Sequence, residues 1–204
     1  MTEDTPARIL ALGDSYTIGT GVEDDDRWVS KLTARLRDDG ESVADPVVIA
    51  ENGWTTGDLD EAISERDPDG SFDLVTLLIG ANNCFQEESP DEFEPKFRAM
   101  LDRALGFATG PDSVVVITVP DYTLTPTGQE NDPEEHRRRL DAYDETVREA
   151  AREAGTRLVD VVPPSKRVDD DPDLIAEDDL HPAPEQHDVW LERIYPVAAE
   201  ALAA

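Results

Sequence analysis

Cysteine is all but missing from this chain of 204 residues: Cys84 is the only one. A single thiol excludes an internal disulfide, and it excludes a cysteine cluster around a metal. We expect Cys84 to be a half-buried small residue after an apolar run. Basic residues are scarce as well. Lysine and arginine number 18 against 48 aspartates and glutamates, a formal net charge of −30, and only Lys31, Lys96 and Lys166 are lysine. Such a surface repels phosphate, and no basic stripe offsets it, which argues against a nucleic-acid partner. The short run His136-Arg137-Arg138-Arg139 sits among acids on an expected helix. No apolar stretch approaches the roughly 18 residues of a membrane span. The start, Met1 to Pro6, is acidic and lacks the apolar segment of a secretion signal. We therefore expect a cytoplasmic protein with no membrane partner. Only three histidines occur, none spaced as a ligand pair on a helix, so no metal is expected.

The acids are spread along the whole chain, in Asp24–Asp26, Asp38-Asp39, Glu87-Glu88, Asp169–Asp171 and Asp178-Asp179. A solvated acidic shell suited to a salt-rich cytoplasm explains this more simply than a specific cation site. Self-repulsion of such a shell is severe near 0.1 M salt, where the screening length is about 10 Å, and mild near 1 M, where it is about 3 Å. We read the source as halophilic.

Hydrophobic residues make up 38% of the chain and cluster in short runs, which argues for packed strands. Ala7–Leu12, Val47–Ala50, Asp73–Gly80, Val114–Val119 and Arg157–Val162 read as five strands. Between them lie segments of helical periodicity: Arg27–Arg37, a helix capped by Thr56 or Asp58 and running through Arg66, Pro90–Phe107, Pro133–Ala154 and Pro184–Leu202. We expect Pro196 to kink or split the last. The segment Tyr16–Asp26 reads as a glycine-rich acidic loop. Strand and helix alternate five times. This predicts an α/β fold, a doubly wound parallel sheet of about five strands with helices on both faces. There is no repeat and no linker, so residues 1–204 form a single domain.

In such a sheet, function gathers at the carboxyl ends of the strands. Four polar clusters fall there: Gly13-Asp14-Ser15 after the first strand, Asn52-Gly53 after the second, Gly80-Ala81-Asn82-Asn83 after the third, and Asp178-Asp179-Leu180-His181 after the fifth. A serine on a tight turn after a strand is presented as a nucleophile, but its hydroxyl is weak without a base and without donors for the charge that builds on the substrate. In Asp-x-x-His the carboxylate of Asp178 accepts from the imidazole Nδ1–H of His181, and Nε2 faces outward as base. Asn82 through its amide, and Gly53 and Ser15 through their backbone N–H groups, supply oxyanion donors. Each piece alone has a plain structural explanation. Gly-Asp-Ser triplets are mostly ordinary turns, Asn82 and Gly53 serve equally as turn residues, and at this acid content roughly one histidine in four carries an acid three residues before it by chance.

Taken in order, Gly-Asp-Ser, Asn-Gly, Gly-x-Asn and Asp-x-x-His resemble the GDSL or SGNH hydrolase family over Ile9 to about Trp190. The resemblance implies a flavodoxin-like α/β/α sandwich. It also implies hydrolysis of carboxylic esters (small acyl esters, thioesters or acetylated sugars) through an acyl-enzyme on Ser15, with no organic cofactor. In that pattern His181 is the base, Asp178 its partner, and Ser15, Gly53 and Asn82 form the oxyanion hole, while Asp14 only supports the turn. Two positions depart from the pattern: Tyr16 stands where leucine is usual, and Asn83 where aspartate is usual. The loops Tyr122–Asp132 and Pro163–Ile175 are the expected walls of an acyl or alcohol pocket. An acyltransferase would use the same triad. A non-catalytic module for an acylated carbohydrate or a partner protein is a further alternative, disfavoured by the complete residue set. A phosphate or nucleotide binder lacks its Gly-rich loop. Oligomeric state stays open.

Overall fold

The computed structural model describes residues 5–203; the first four residues of the acidic start lie outside it. Five strands, β1 Ile9–Gly13, β2 Val47–Ala50, β3 Leu74–Leu78, β4 Val114–Ile117 and β5 Arg157–Val159, pair in the order β2-β1-β3-β4-β5, parallel throughout. Every residue of β1, β3 and β4 is buried. That is why their sequences are continuous apolar runs rather than alternating ones. The expected flavodoxin-like sheet is present.

Helices α1 Ser15–Ile18, α2 Trp28–Asp38, α3 Thr56–Arg66, α4 Ala81–Phe85, α5 Pro90–Phe107, α6 Pro126–Gln129, α7 Pro133–Ala154, α8 Val162–Ser165 and α9 Pro184–Leu202 connect the strands. They pack in two groups. α2 lies against α9, while α5 lies against both α3 and α7. Phe93 and Tyr143 stack at 3.7 Å between α5 and α7, and the buried Trp28 and Trp190 anchor α2 and α9.

Several boundaries differ from expectation. Residues 15–18 are a short helix, not the start of a loop, closed by Gly19 in the left-handed conformation. Thr55, rather than Thr56 or Asp58, caps α3; its hydroxyl accepts from the Asp58 amide, and the Thr55 amide donates to the Asp58 carboxylate at 2.8 Å. The third, fourth and fifth strands are shorter than their apolar runs, because Ile79, Val119 and Val161 are buried beyond the last ladder pair. Apolar continuity records burial there, not pairing. α9 is one helix through Pro196, not two. Its missing N–H removes one bond from a helix otherwise held by its buried face. Cys84 is fully buried, not half-buried, with its Sγ against the His136 carbonyl.

The strand order reverses between β1 and β3. The chain passes from β1 to β2 on one side, then crosses to β3 on the other. That switch point opens a crevice at the carboxyl ends of β1 and β3, and the short helices that follow those strands, α1 and α4, carry Ser15 and Asn82.

Candidate active site

The turn after β1 is built around close approach. A Cβ at Gly13 would lie 2.1 Å from the Thr17 hydroxyl and 2.6 Å from the Leu78 carbonyl, so only glycine fits. Asp14 then caps α1, its carboxylate accepting from the Tyr16 amide at 3.1 Å. Burial pushes the Asp14 carboxyl up to about 7, against the opposing pull of backbone amides at Tyr16, Asp14 and Gly80. Ser15 is the first residue of α1. The first-turn bonds come from Tyr16, Thr17 and Ile18 to Asp14, which leaves the Ser15 N–H among the unspent donors of a helix start.

His181 stands in the loop before α9, nearly buried. Its Nδ1 lies 2.6 Å from Asp178 Oδ2, while Asp178 Oδ1 accepts from the amides of Leu180 at 3.0 Å and His181 at 2.9 Å. Burial alone would raise the Asp178 carboxyl. The bonds from the His181 amide and ring and from the Leu180 amide outweigh it and hold the group below its usual range. The carboxylate is thus fixed at both oxygens and fixes the ring in turn. Asp179 does something else: its carbonyl accepts from Thr127 at 3.1 Å, and its φ is +62°.

A cleft of about 220 Å³ joins the strand ends, lined by Ser15, Asn52, Asn82 and His181 with Tyr16, Ala81, Phe85 and Leu180 as apolar walls. Of the five residues predicted from the sequence, three line it: Ser15, Asn82 and His181. Asp178 stands behind His181. Gly53 is the residue after Asn52, exposed, at φ +86°. A side chain at Gly53 would meet nothing within 4 Å, so the left-handed backbone, not tight space, calls for glycine. Asn82 Nδ2 donates to the Trp54 carbonyl at 2.9 Å. One amide hydrogen holds the side chain to the turn after β2, and the second is left for the cleft.

Asn83, where the family pattern has aspartate, is buried and saturated. Its Oδ1 accepts from the Thr56 amide at 3.1 Å, and its Nδ2 donates to the Thr56 hydroxyl at 3.0 Å and to Glu88 at 3.2 Å. A carboxylate at that position would lose both donors and face the Glu88 charge.

Sequence reasoning missed the frame behind the site. The Tyr16 carbonyl accepts from Trp28 Nε1 at 2.9 Å, and the Trp28 amide donates to His187 Nδ1 at 3.3 Å. The Tyr16 ring sits 5.8 Å from both His181 and Trp190. Burial, then the nearby Lys31 and His181, push His187 down to about 3, so it is a neutral acceptor. No local sequence signal marks this frame, because the hydrogen-bonded pair Trp28 and His187 alone is 159 positions apart. Phe85 was missed as a wall of the cleft. Of the expected walls, Tyr122 and Thr125 from one loop and Ser165, Val168, Leu174 and Ile175 from the other line a small cavity that adjoins the cleft and shares Tyr16, Leu180 and His181 with it.

A sequence profile of the GDSL-like Lipase/Acylhydrolase family matches residues 11–189. A comparison with curated proteins finds no match. Among solved structures, the chain is similar to a member of the lipolytic protein G-D-S-L family from Veillonella parvula DSM 2008. Identity there is 15%, coverage is 95% of this chain and 98% of that one, and the TM-score is 0.77. The acetyl xylan esterase Axe2 from Geobacillus stearothermophilus has 21% identity, coverage of 100% and 97%, and a TM-score of 0.70. LAE5, an alpha/beta hydrolase enzyme from the metagenome of Lake Arreo, Spain, has 25% identity, coverage of 98% and 97%, and a TM-score of 0.70.

Proposed function

Because the chain belongs to the GDSL-like lipase/acylhydrolase family, a family of ester hydrolases, we propose that it cleaves small carboxylic esters through an acyl-enzyme on Ser15. The observation that carries this reading is the 2.6 Å Asp178–His181 bond at the wall of a cleft that also holds Ser15 and Asn82. The Ser15 hydroxyl attacks the ester carbonyl as His181 Nε2 takes its proton. Asp178 keeps the Nδ1 tautomer and stabilises the imidazolium. The developing oxyanion is met by the N–H groups of Ser15 and Gly53 and by the Asn82 amide. Collapse expels the alcohol with the proton from His181. Water, deprotonated by the same nitrogen, then clears the acyl group.

The cleft volume of about 220 Å³ is below the roughly 300–1,000 Å³ of sites for drug-sized ligands. Its apolar walls Ala81, Phe85 and Leu180 suit a short acyl chain. Small acyl esters, thioesters and acetylated sugars all satisfy this chemistry. The likeness to Axe2, an acetyl xylan esterase, makes an acetyl ester of a sugar the first to try.

The test is hydrolysis of a nitrophenyl ester series of rising acyl length in molar salt, wild type beside Ser15→Ala. Turnover confined to short acyl chains and abolished in a folded Ser15→Ala variant is the expected result. Equal rates in both proteins would reduce Ser15 to a turn residue and favour a binding module. Turnover that rises with chain length would refute the short-acyl reading.

A further inference from the structure

Free positive charge is rare on this molecule, and where it occurs it is concentrated. Of 18 lysines and arginines, all but two hold a carboxylate or a backbone carbonyl among the described residues. The two without such a partner are Arg167 and Arg193. Both line one surface groove of about 430 Å³, with Pro163, Pro164 and Val189 as its apolar faces. α8 and the turn after it form one side and α9 the other.

The groove's two acids are already engaged by α2. Asp188 is held by Lys31 at 2.6 Å and Glu192 by Arg35 at 2.6 Å. In a chain of net charge −30 an unpaired guanidinium has acids on every side to choose from. The groove lining balances two arginines against two acids, but both acids are engaged from α2 while both guanidinium groups are left without a carboxylate.

We propose that this groove binds a compact dicarboxylate, one carboxylate on each arginine and an apolar frame against Pro163, Pro164 and Val189. Guanidinium groups take carboxylates in a two-bond fork. One exposed pair contributes little by itself, so a ligand that engages both arginines is strongly preferred over a monoanion. A long polyanion is disfavoured, because the run Asp169–Asp171 beside Arg167 repels whatever extends past the groove. The groove is separate from the catalytic cleft and shares no lining residue with it.

The test is calorimetric titration with isophthalate, and with benzoate as the monoanion, in buffer of constant high KCl. Isophthalate is expected to bind at least about tenfold more tightly than benzoate. Arg167→Gln and Arg193→Gln should each weaken it about tenfold, the equivalent of about 1.4 kcal/mol, and Ser15→Ala should bind as the wild type does. Both residues are exposed, so both variants are expected to stay folded by circular dichroism. Binding of neither probe, equal binding of both, or undiminished binding in the double variant overturns the proposal. So does loss of binding in Ser15→Ala, which would move the anion into the ester cleft.

Discussion

At the scale of single residues, the site separates groups that act from groups that hold. Asp178 is held at both oxygens. In Asp178→Asn the retained Oδ1 still takes the backbone amides, but the new amide presents a donor to His181 Nδ1 and stabilises the wrong tautomer. A fall in kcat on the order of 10³- to 10⁴-fold with little change in KM is expected. Steady-state kinetics would check it, and full activity in the variant would remove Asp178 from the mechanism. Asn82→Ala takes away one oxyanion donor, and a loss of about 10²- to 10³-fold in kcat is expected. The motif spacing made Asp178, His181 and Asn82 legible in the sequence. The Trp54 carbonyl that aims Asn82 was not legible, because it arrives from another strand end.

At the scale of elements, three buried titratable groups, Asp14, Asp144 and His187, tie folding stability to pH. Asp14 at the start of α1 has its carboxyl pushed up to about 7 by burial, from an ordinary 3.8. Between these values the folded protein keeps a proton that the unfolded chain has released. The group therefore costs stability as pH rises from about 4 to 7, and the cost is constant above that. Asp144 on α7 is likewise pushed to about 7 by burial and works in the same window. His187 works the other way: pushed down to about 3, it costs stability as pH falls below its ordinary 6.5. In Asp14→Asn the decline in Tm between pH 4 and 7 should be shallower than in the wild type, as thermal melts at fixed salt would show; parallel pH profiles would count against a protonated Asp14. Asn83 ties α4 to the start of α3. Asn83→Asp should destabilise by roughly 1–3 kcal/mol through lost donors and repulsion from Glu88. Adding Glu88→Gln should restore part of that in chemical denaturation. If the double variant is no better than the single one, the Glu88 contact is not the cause.

At the scale of the whole molecule, the charge of −30 dominates. The ion pairs are mostly exposed and each is worth little, so screening of the net repulsion outweighs screening of the pairs. Tm should rise as KCl goes from about 0.1 M towards molar, where the screening length shrinks to about 3 Å. Melting curves that are flat in salt, with full activity in dilute buffer, would remove the halophilic reading. Among the described residues no helix is long and apolar enough to cross a membrane.

Local chemistry by itself determined the strands, the long helices and the residue types of the site. Apolar runs, capping residues and a serine on a tight turn are short-range facts, and the periods of sheet and helix are written along the chain. Short helices such as α4 and α6 were not legible, because a single turn of helix is held by its surroundings rather than by its own propensity. Nor was the end of each strand, since Val119 and Val161 are apolar for burial and not for pairing. Only the tertiary structure decided that Trp28 and His187 brace the Tyr16 carbonyl, that Phe85 and Leu180 wall the cleft, and that Arg167 and Arg193 share a groove. Each of these depends on which side chains the folded backbone brings within a few ångströms across large separations in sequence. No local pattern encodes that distance.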